Sequence, residues 1–279
     1  MHRSVSCRNQ YTKDLGRFKM NVYKPEPVRI KQVFRETEDV KRFRVDLRTK
    51  PLPGTFYQLA LPGYGECPIA VSSFSDSYVD FCVRRVGNVT NALHKLGRED
   101  TLFLRGPNGR GYPLSELKKS DVVIVAGGTG VAPVRGLIQY IKHHRSHFGN
   151  VEIFLGYKNF EQVMFGKEFD AWNKTMDVNV SLDKPDKRWQ GKTGVVTGLL
   201  KGKSYGSNVR AVVCGPPVMM KFAVEELKAD NVEEQNIFVG IERLMHCGIG
   251  KCGHCMVNDK YTCKDGPIFR YSEAKFLND

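Results

Sequence analysis

No apolar run in this chain is long enough to cross a membrane. The longest aliphatic stretch, Val122-Val-Ile-Val-Ala126, falls far short of the roughly 20 residues that a membrane helix needs. The N-terminus, Met1-His-Arg-Ser-Val-Ser-Cys7, lacks the apolar stretch of a secretory signal. These absences point to a soluble, cytoplasmic protein with no membrane partner. No obvious catalytic triad or carboxylate pair stands out, and no nucleic-acid recognition motif accompanies the basic residues. What is present is ordinary for a folded protein: 279 residues, 41% hydrophobic and 26% charged. That supports a real core and argues against wholesale disorder.

The net charge of +13 is concentrated at one end. Residues 1–50 hold 14 Lys/Arg against 6 Asp/Glu, whereas residues 236–279 hold 6 against 5. Arg3, Arg8, Lys13, Arg17 and Lys19 offer charge without a groove or a stacking platform. No nucleic-acid partner is expected. A basic arm docking on an acidic protein partner and a plain solvated surface both remain open.

Eight cysteines divide into two groups. Cys7, Cys67, Cys82 and Cys214 are scattered, while Cys247, Cys252, Cys255 and Cys263 fall within seventeen residues. Without a signal sequence or a small chain to staple, the cluster points to metal or catalysis rather than to disulfides.

The chain divides into four stretches. Residues 1–24 form a basic extension. Residues 25–118 read as an all-β unit, a barrel or sandwich: short, partly alternating strands over 28–34, 42–47, 55–60 and 78–83, separated by Pro and Gly, and a short helix near Thr90. Residues 119–236 change period. Strands over 122–126, 151–155, 178–182 and 209–213 alternate with helical stretches over 134–142, 163–172 and 217–228, the pattern of a doubly wound parallel sheet. Residues 237–279 form a Cys/Gly-rich segment, too short for its own apolar core and expected to fold around a metal centre.

The strongest chemical signal is Cys247-x4-Cys252-x2-Cys255-x7-Cys263. Its first three cysteines have the plant-type spacing of a [2Fe–2S] cluster. A four-cysteine zinc site is the structural rival, but it usually shows two close pairs separated by a longer span. The second signal, Ala126-Gly-Gly-Thr-Gly-Val-Ala-Pro133, lies between a strand and a helix, where a diphosphate can approach backbone N–H groups. Pro133 stands where a Rossmann loop has its third glycine, and a plain βα turn is the alternative. Val213-Cys-Gly-Pro-Pro-Val-Met-Met220 marks a second strand end at the same sheet edge. The third signal is Val83-Arg-Arg-Val-Gly-Asn-Val-Thr-Asn91, an anion site or an ordinary helix cap.

In this order these segments resemble the ferredoxin–NADP reductase superfamily. The cysteine pattern is similar to that of its iron–sulfur members: the electron-transfer subunits of dihydroorotate dehydrogenase and the gamma subunits of sulfhydrogenases. The chain looks most like the NADH-oxidising iron–sulfur flavoproteins of anaerobic sulfite reductases. The segments carrying this likeness are Gly65-Glu-Cys-Pro-Ile-Ala-Val71, Leu104-Arg-Gly-Pro-Asn-Gly-Arg-Gly-Tyr-Pro113, Leu155-Gly-Tyr-Lys-Asn159 and Cys263-Lys-Asp-Gly-Pro-Ile-Phe-Arg-Tyr271.

The resemblance implies FAD, a [2Fe–2S] cluster, and NADH or NADPH as co-substrate. It places the flavin motif on Cys67, Pro68, Ile69 and Ala70, where the family pattern has arginine first and serine last. Val83, Arg84, Gly87, Val89 and Thr90 would hold the FAD ribityl chain and diphosphate. Gly128, Thr129 and Gly130 would meet the nicotinamide nucleotide's diphosphate. Cys214, Gly215, Pro216 and Met219 would lie near the nicotinamide, with Cys214 either a catalytic thiol or simply a small buried residue. Cys247, Cys252, Cys255 and Cys263 would hold the cluster. The partner implied is a sulfite-reducing subunit with sirohaem and iron–sulfur clusters, with a hydrogenase or a dihydroorotate dehydrogenase as alternatives. A zinc-stabilised, non-enzymatic redox regulator is the alternative of a different class.

Overall fold

The structure is a computed structural model and describes residues 22–274. Most of the basic extension, including Cys7, lies outside the described residues.

Six antiparallel strands close a barrel: β1 (Glu26–Arg35), β2 (Val40–Val45), β3 (Phe56–Leu61), β4 (Gly65–Phe74), β5 (Val79–Arg84) and β6 (Thr101–Asn108), in the order β1-β2-β5-β4-β3-β6. Closure removes the open edges that would otherwise invite pairing with other chains. The strands bury alternate side chains inside, among them Ile30, Phe43, Tyr57, Leu59, Phe81 and Leu104. Each large aliphatic residue so buried contributes about 1.5–3 kcal/mol. A short helix, α1 (Asn88–Leu93), follows β5, and α2 (Leu114–Leu117) leads out of the barrel. Two of these strands are hard to see in the sequence. Pro68 interrupts β4, and Gly106-Pro107 interrupts β6.

The second unit is a seven-stranded sheet. Strands β7 (Asp121–Gly127), β8 (Val151–Tyr157), β9 (Asp177–Leu182), β10 (Lys192–Thr193), β11 (Val209–Cys214) and β12 (Ile237–Gly240) are parallel. Helices α3 (Val131–His143) and α4 (Phe169–Asn173) cover one face and α5 (Pro217–Ala229) the other. Strand β7 shows why its sequence is uniformly apolar. Val122, Ile124 and Ala126 enter one core while Val123 and Val125 enter the other, so both faces exclude water. The helical stretch over 163–172 shortens to α4, because 3₁₀ turns and a left-handed Phe165 (φ 59°) precede it.

The chain then forms a small hairpin, β13 (Met256–Val257) with β14 (Lys260–Tyr261), a turn of helix α6 (Thr262–Asp265) and a last strand β15 (Ile268–Arg270). β15 pairs antiparallel with β12, giving the sheet order β10-β9-β8-β7-β11-β12-β15. The cysteine-rich segment therefore does more than fold around its thiols. Val257, Phe269, Tyr271 and Ala274 sit in the same core as α5, so the segment borrows the apolar partners it is too short to supply.

A buried carboxylate ties barrel to sheet. Asp80 on β5, wholly buried, meets Arg42 and Arg44 of β2 at 3.1 and 2.8 Å and Arg135 of α3 at 3.5 Å. Arg135 also donates to Ser72 O in β4 at 3.2 Å and pairs with Glu168 at 2.8 Å. Among the described residues no helix is long and apolar enough to cross a membrane.

Candidate redox site

A cleft of about 920 Å³ opens at the C-terminal edge of the parallel sheet, where it faces the barrel. This is where ligands bind in open α/β sheets, and the volume suits a small-molecule cofactor. Gly128 and Thr129 line it from the turn after β7, Pro216 from the turn after β11, Met219 from the first turn of α5, and Arg84 from the barrel. Glycine is required here for two distinct reasons. Gly128 has φ +54° and open space around it, so its need is conformational. Gly130 has an ordinary helical backbone, but a Cβ there would stand 2.6 Å from Cys214 O and from Gly215 Cα. The two turns thus touch backbone to backbone and form one floor.

Cys214 lies beneath that floor rather than in the cleft. It is buried, and burial together with the Glu242 carboxylate pushes its thiol up to about 12. Cys214 is a neutral thiol at physiological pH. The cleft also uses residues that sequence patterns did not single out, including Asp183, Thr197, Lys201 and Phe222. Asp183 directly follows β9, and its place at a strand's C-terminal end is the one signal that could have marked it.

Strand β4, on which the expected flavin motif falls, splits its residues by face. Cys67 and Ile69 pack on the barrel core. Pro68 and Ala70 alternate with them on the outer face, opposite Gln58 and Phe56 of β3 in register. Val83 is wholly buried among the barrel side chains, and Val89 packs close to Gly65. Arg84 pairs with Asp39 at 2.8 Å. Thr90 Oγ1 accepts from Val86 and Gly87 N–H at 3.0 and 2.9 Å and donates to Gly87 O at 3.0 Å. That hydroxyl is committed to capping α1, which leaves the open space around Gly87 as the approach to the helix.

The four clustered cysteines come together against the outer face of β3. Phe56 packs with buried Cys255 and Cys263, flanked by Met245 and Tyr261. Cys252 is exposed and Cys247 half-buried. Cys252 bears on the ionisation of Cys247, and Cys255 on that of Cys263, so each lies close to the other's thiol. Among the described residues, no three or more His, Cys, Asp or Glu side chains are gathered as a bound metal ion would require.

The loop is shaped to hold sulfur anions. Backbone N–H groups of Ile249, Lys251 and Cys252 donate to Cys247 Sγ at 3.5, 3.4 and 3.4 Å, and that of Gly250 donates to Cys263 Sγ at 3.0 Å. Desolvation alone would push the Cys247 thiol up, but the N–H donors bring it down to about 6. Burial, and then the neighbouring Cys255 thiol, pushes Cys263 up. Left-handed Gly248 and Gly250 (φ +68° and +72°) let the backbone curl around the sulfurs. A collar of thiols and N–H donors is the donor set of an iron–sulfur centre. His246 and His254 lie against each other, ring centroids 3.8 Å apart and planes tilted by 47°, and are not needed as ligands.

Comparisons with known proteins agree with this geometry. The family model described as "Oxidoreductase NAD-binding domain" matches residues 124–225, and "Iron-sulfur cluster binding domain of dihydroorotate dehydrogenase B" matches residues 242–275. The chain is 35% identical to the sulfhydrogenase 1 gamma subunit of Pyrococcus furiosus, covering 90% of this chain and 92% of that one. It is 34% identical to a probable dihydroorotate dehydrogenase B (NAD(+)) electron transfer subunit of Methanocaldococcus jannaschii, covering 92% and 93%. In fold it resembles the structure of an NADH-dependent reduced ferredoxin-NADP oxidoreductase, with TM-score 0.73, 24% identity and coverage of 89% and 91%. It also resembles a ferredoxin NADP+ reductase from Neisseria gonorrhoeae with bound FAD and NADP, with TM-score 0.66, 18% identity and coverage of 77% and 98%. The chain belongs to the family of iron–sulfur electron-transfer subunits that includes the sulfhydrogenase gamma subunits and the electron-transfer subunits of dihydroorotate dehydrogenase B.

Proposed function

We propose that this chain is a cytoplasmic reductase subunit that oxidises NADH or NADPH and passes the electrons singly to a partner protein. FAD, when bound, supplies hydride acceptance and the change from two electrons to one, and a [2Fe–2S] cluster supplies the one-electron relay. The protein's own residues bind, orient and insulate. Gly128, Thr129 and Gly130 present backbone N–H groups at the start of α3 to the dinucleotide's diphosphate. Pro216 and Met219 face its nicotinamide end, and Arg84 serves the flavin diphosphate. Neutral Cys214 moves no proton; it packs beneath the floor and fixes the depth of the cleft.

One observation carries the proposal. Phe56 stands opposite Ala70 of the flavin motif and also packs on Cys255 and Cys263. A single strand spacing, about 4.8 Å, therefore separates the flavin-motif strand from the strand that seats the cysteines. The buried pair lies inward and exposed Cys252 outward, which gives electrons an entry and an exit. The Cys247-x4-Cys252-x2-Cys255 spacing supports the cluster type, since a four-cysteine zinc site usually shows two close pairs separated by a longer span.

A sulfite-reducing partner with sirohaem is supported by segments such as Gly65-Glu-Cys-Pro-Ile-Ala-Val71. A hydrogenase partner is supported by the 35% identity to a sulfhydrogenase gamma subunit, and a dihydroorotate dehydrogenase partner by the 34% relative. The test is an anaerobic visible spectrum before and after stoichiometric NADH, followed by the candidate partner with sulfite. Bleaching, then reoxidation that requires partner and sulfite, is the expected result. Bleaching without sulfite-dependent recovery transfers the role to a hydrogenase or dihydroorotate dehydrogenase partner. A colourless protein defeats the proposal.

A further inference from the structure

Gln58, midway along β3, is wholly buried, and both ends of its carboxamide, Nε2 and Oε1, lack a hydrogen-bond partner. Among the described residues no other buried amide side chain is orphaned at both ends. Leaving such a group unpaired is costly, so its position calls for a ligand that the polypeptide does not supply.

The strand fixes where the amide sits. Tyr57 and Leu59 enter the barrel core, so Gln58 shares the outer face with Phe56, the residue that packs on Cys255 and Cys263. Its register neighbours are Pro68 on one side and Arg105 on the other. Pro68 offers no side-chain polar atom. The Arg105 guanidinium is already bound to Glu66, Val22 O and Cys247 O. The amide end lies directly against the cysteine loop, where a Cβ on Gly248 would stand 2.5 Å from Nε2. Gly248 is the residue immediately after Cys247.

Building on the assignment of the four cysteines as cluster ligands, we infer that the Gln58 carboxamide donates a hydrogen bond to the sulfur-ligated centre and raises its reduction potential. Reduction adds one electron to the centre and makes its sulfurs more negative. An N–H aimed at sulfur therefore favours the reduced state, and the amide keeps its proton throughout. Gln58 is a positioning and tuning residue, placed between the flavin-motif strand and the cysteine loop.

The test compares wild type, Gln58→Leu and Gln58→Met, all purified anaerobically as the full chain. Iron and acid-labile sulfide are measured first. Midpoint potentials of flavin and cluster are then titrated by visible absorption and electron paramagnetic resonance. The expected result is unchanged iron and sulfide, an unmoved flavin midpoint, and a cluster midpoint shifted negative. The shift corresponds to about a tenfold change in the reduction equilibrium, or 59 mV for one electron. Should one variant lose its iron, the other supplies the comparison. An unmoved cluster midpoint at full iron content overturns the inference, as does a shift confined to the flavin. Loss of iron in both variants makes Gln58 a support for the loop and also overturns it. Wild type without iron and sulfide defeats the cluster assignment itself, a result distinct from any shift in midpoint.

Discussion

Arg105 Nη2 donates to the carbonyl oxygen of Cys247 across 2.8 Å, joining barrel strand β6 to the first cysteine of the metal-binding loop. The same guanidinium is forked onto Glu66, with Nε at 3.0 Å from Oε2, and its side chain is only 6% exposed. Replacing it with alanine strands a partly buried carboxylate and a loop carbonyl together. Arg105→Ala should cost about 3 kcal/mol in denaturant unfolding and speed iron loss to a chelator. Arg105→Lys keeps the charge but loses the fork, and should fall between wild type and alanine.

The cysteine assignments separate cleanly by mutation. Cys247→Ser or Cys255→Ser should reduce both iron and acid-labile sulfide to background. Cys82→Ser, in the barrel, should leave both at the wild-type level. Equal iron in all three variants would remove the loop from any metal role.

Gly130 tests the floor of the cleft. Gly130→Ala would drive a methyl group against the Cys214 carbonyl at 2.6 Å, and overpacking of this kind costs about 1–3 kcal/mol. Taken from binding energy, that weakens dinucleotide affinity by roughly tenfold, readable by calorimetric titration with NADH. The iron content should not change.

Asp80 joins the two large units. Asp80→Ala leaves the guanidinium groups of Arg42, Arg44 and Arg135 facing one another without their shared anion. The expected loss is about 3–5 kcal/mol, measured by urea unfolding. Retained stability would mean that the interface is held by apolar packing alone.

In the metal-free chain, Cys247 should stand apart in its pH response. Its ionisation falls from 9.0 to about 6 because three N–H groups face the thiolate, although burial opposes them. The thiolate's contribution to folding is complete above pH 9, shrinks as pH falls toward 6, and is lost below it. Alkylation followed by mass spectrometry should show Cys247 labelled at half its maximal rate near pH 6. Cys263, pushed up by burial and by Cys255, should label only in alkaline solution.

The cysteine spacing, the glycine turn after β7 and the alternation of strands with helices were legible because each is a local pattern with a fixed period. What escaped was non-local. Gln58 and Arg105 look like ordinary polar residues of a half-solvated barrel strand, and only the returning C-terminal segment buries them. The apolar anchors Val257 and Phe269 find partners on α5 and β12, far away in sequence. Strand β4 was obscured because Pro68 breaks a period that the barrel nonetheless tolerates. Thr90 could be read as a phosphate ligand or as a cap from sequence alone; its three hydrogen bonds to the Val86–Gly87 turn depend on backbone geometry that no residue pattern displays.

Strand β15 is three residues long, yet it shields the one flank of the sheet where β12 would otherwise offer a free row of amides and carbonyls. The cysteine segment and the nucleotide unit are therefore not interchangeable parts. A chimera that exchanged only residues 242–265 would keep the seal, whereas one that ended the chain before residue 268 would bare an adhesive strand and invite self-association. Replacing the cysteine segment of this chain with that of a relative means grafting between β12 and β15, and returning to the native chain in time to cover β12.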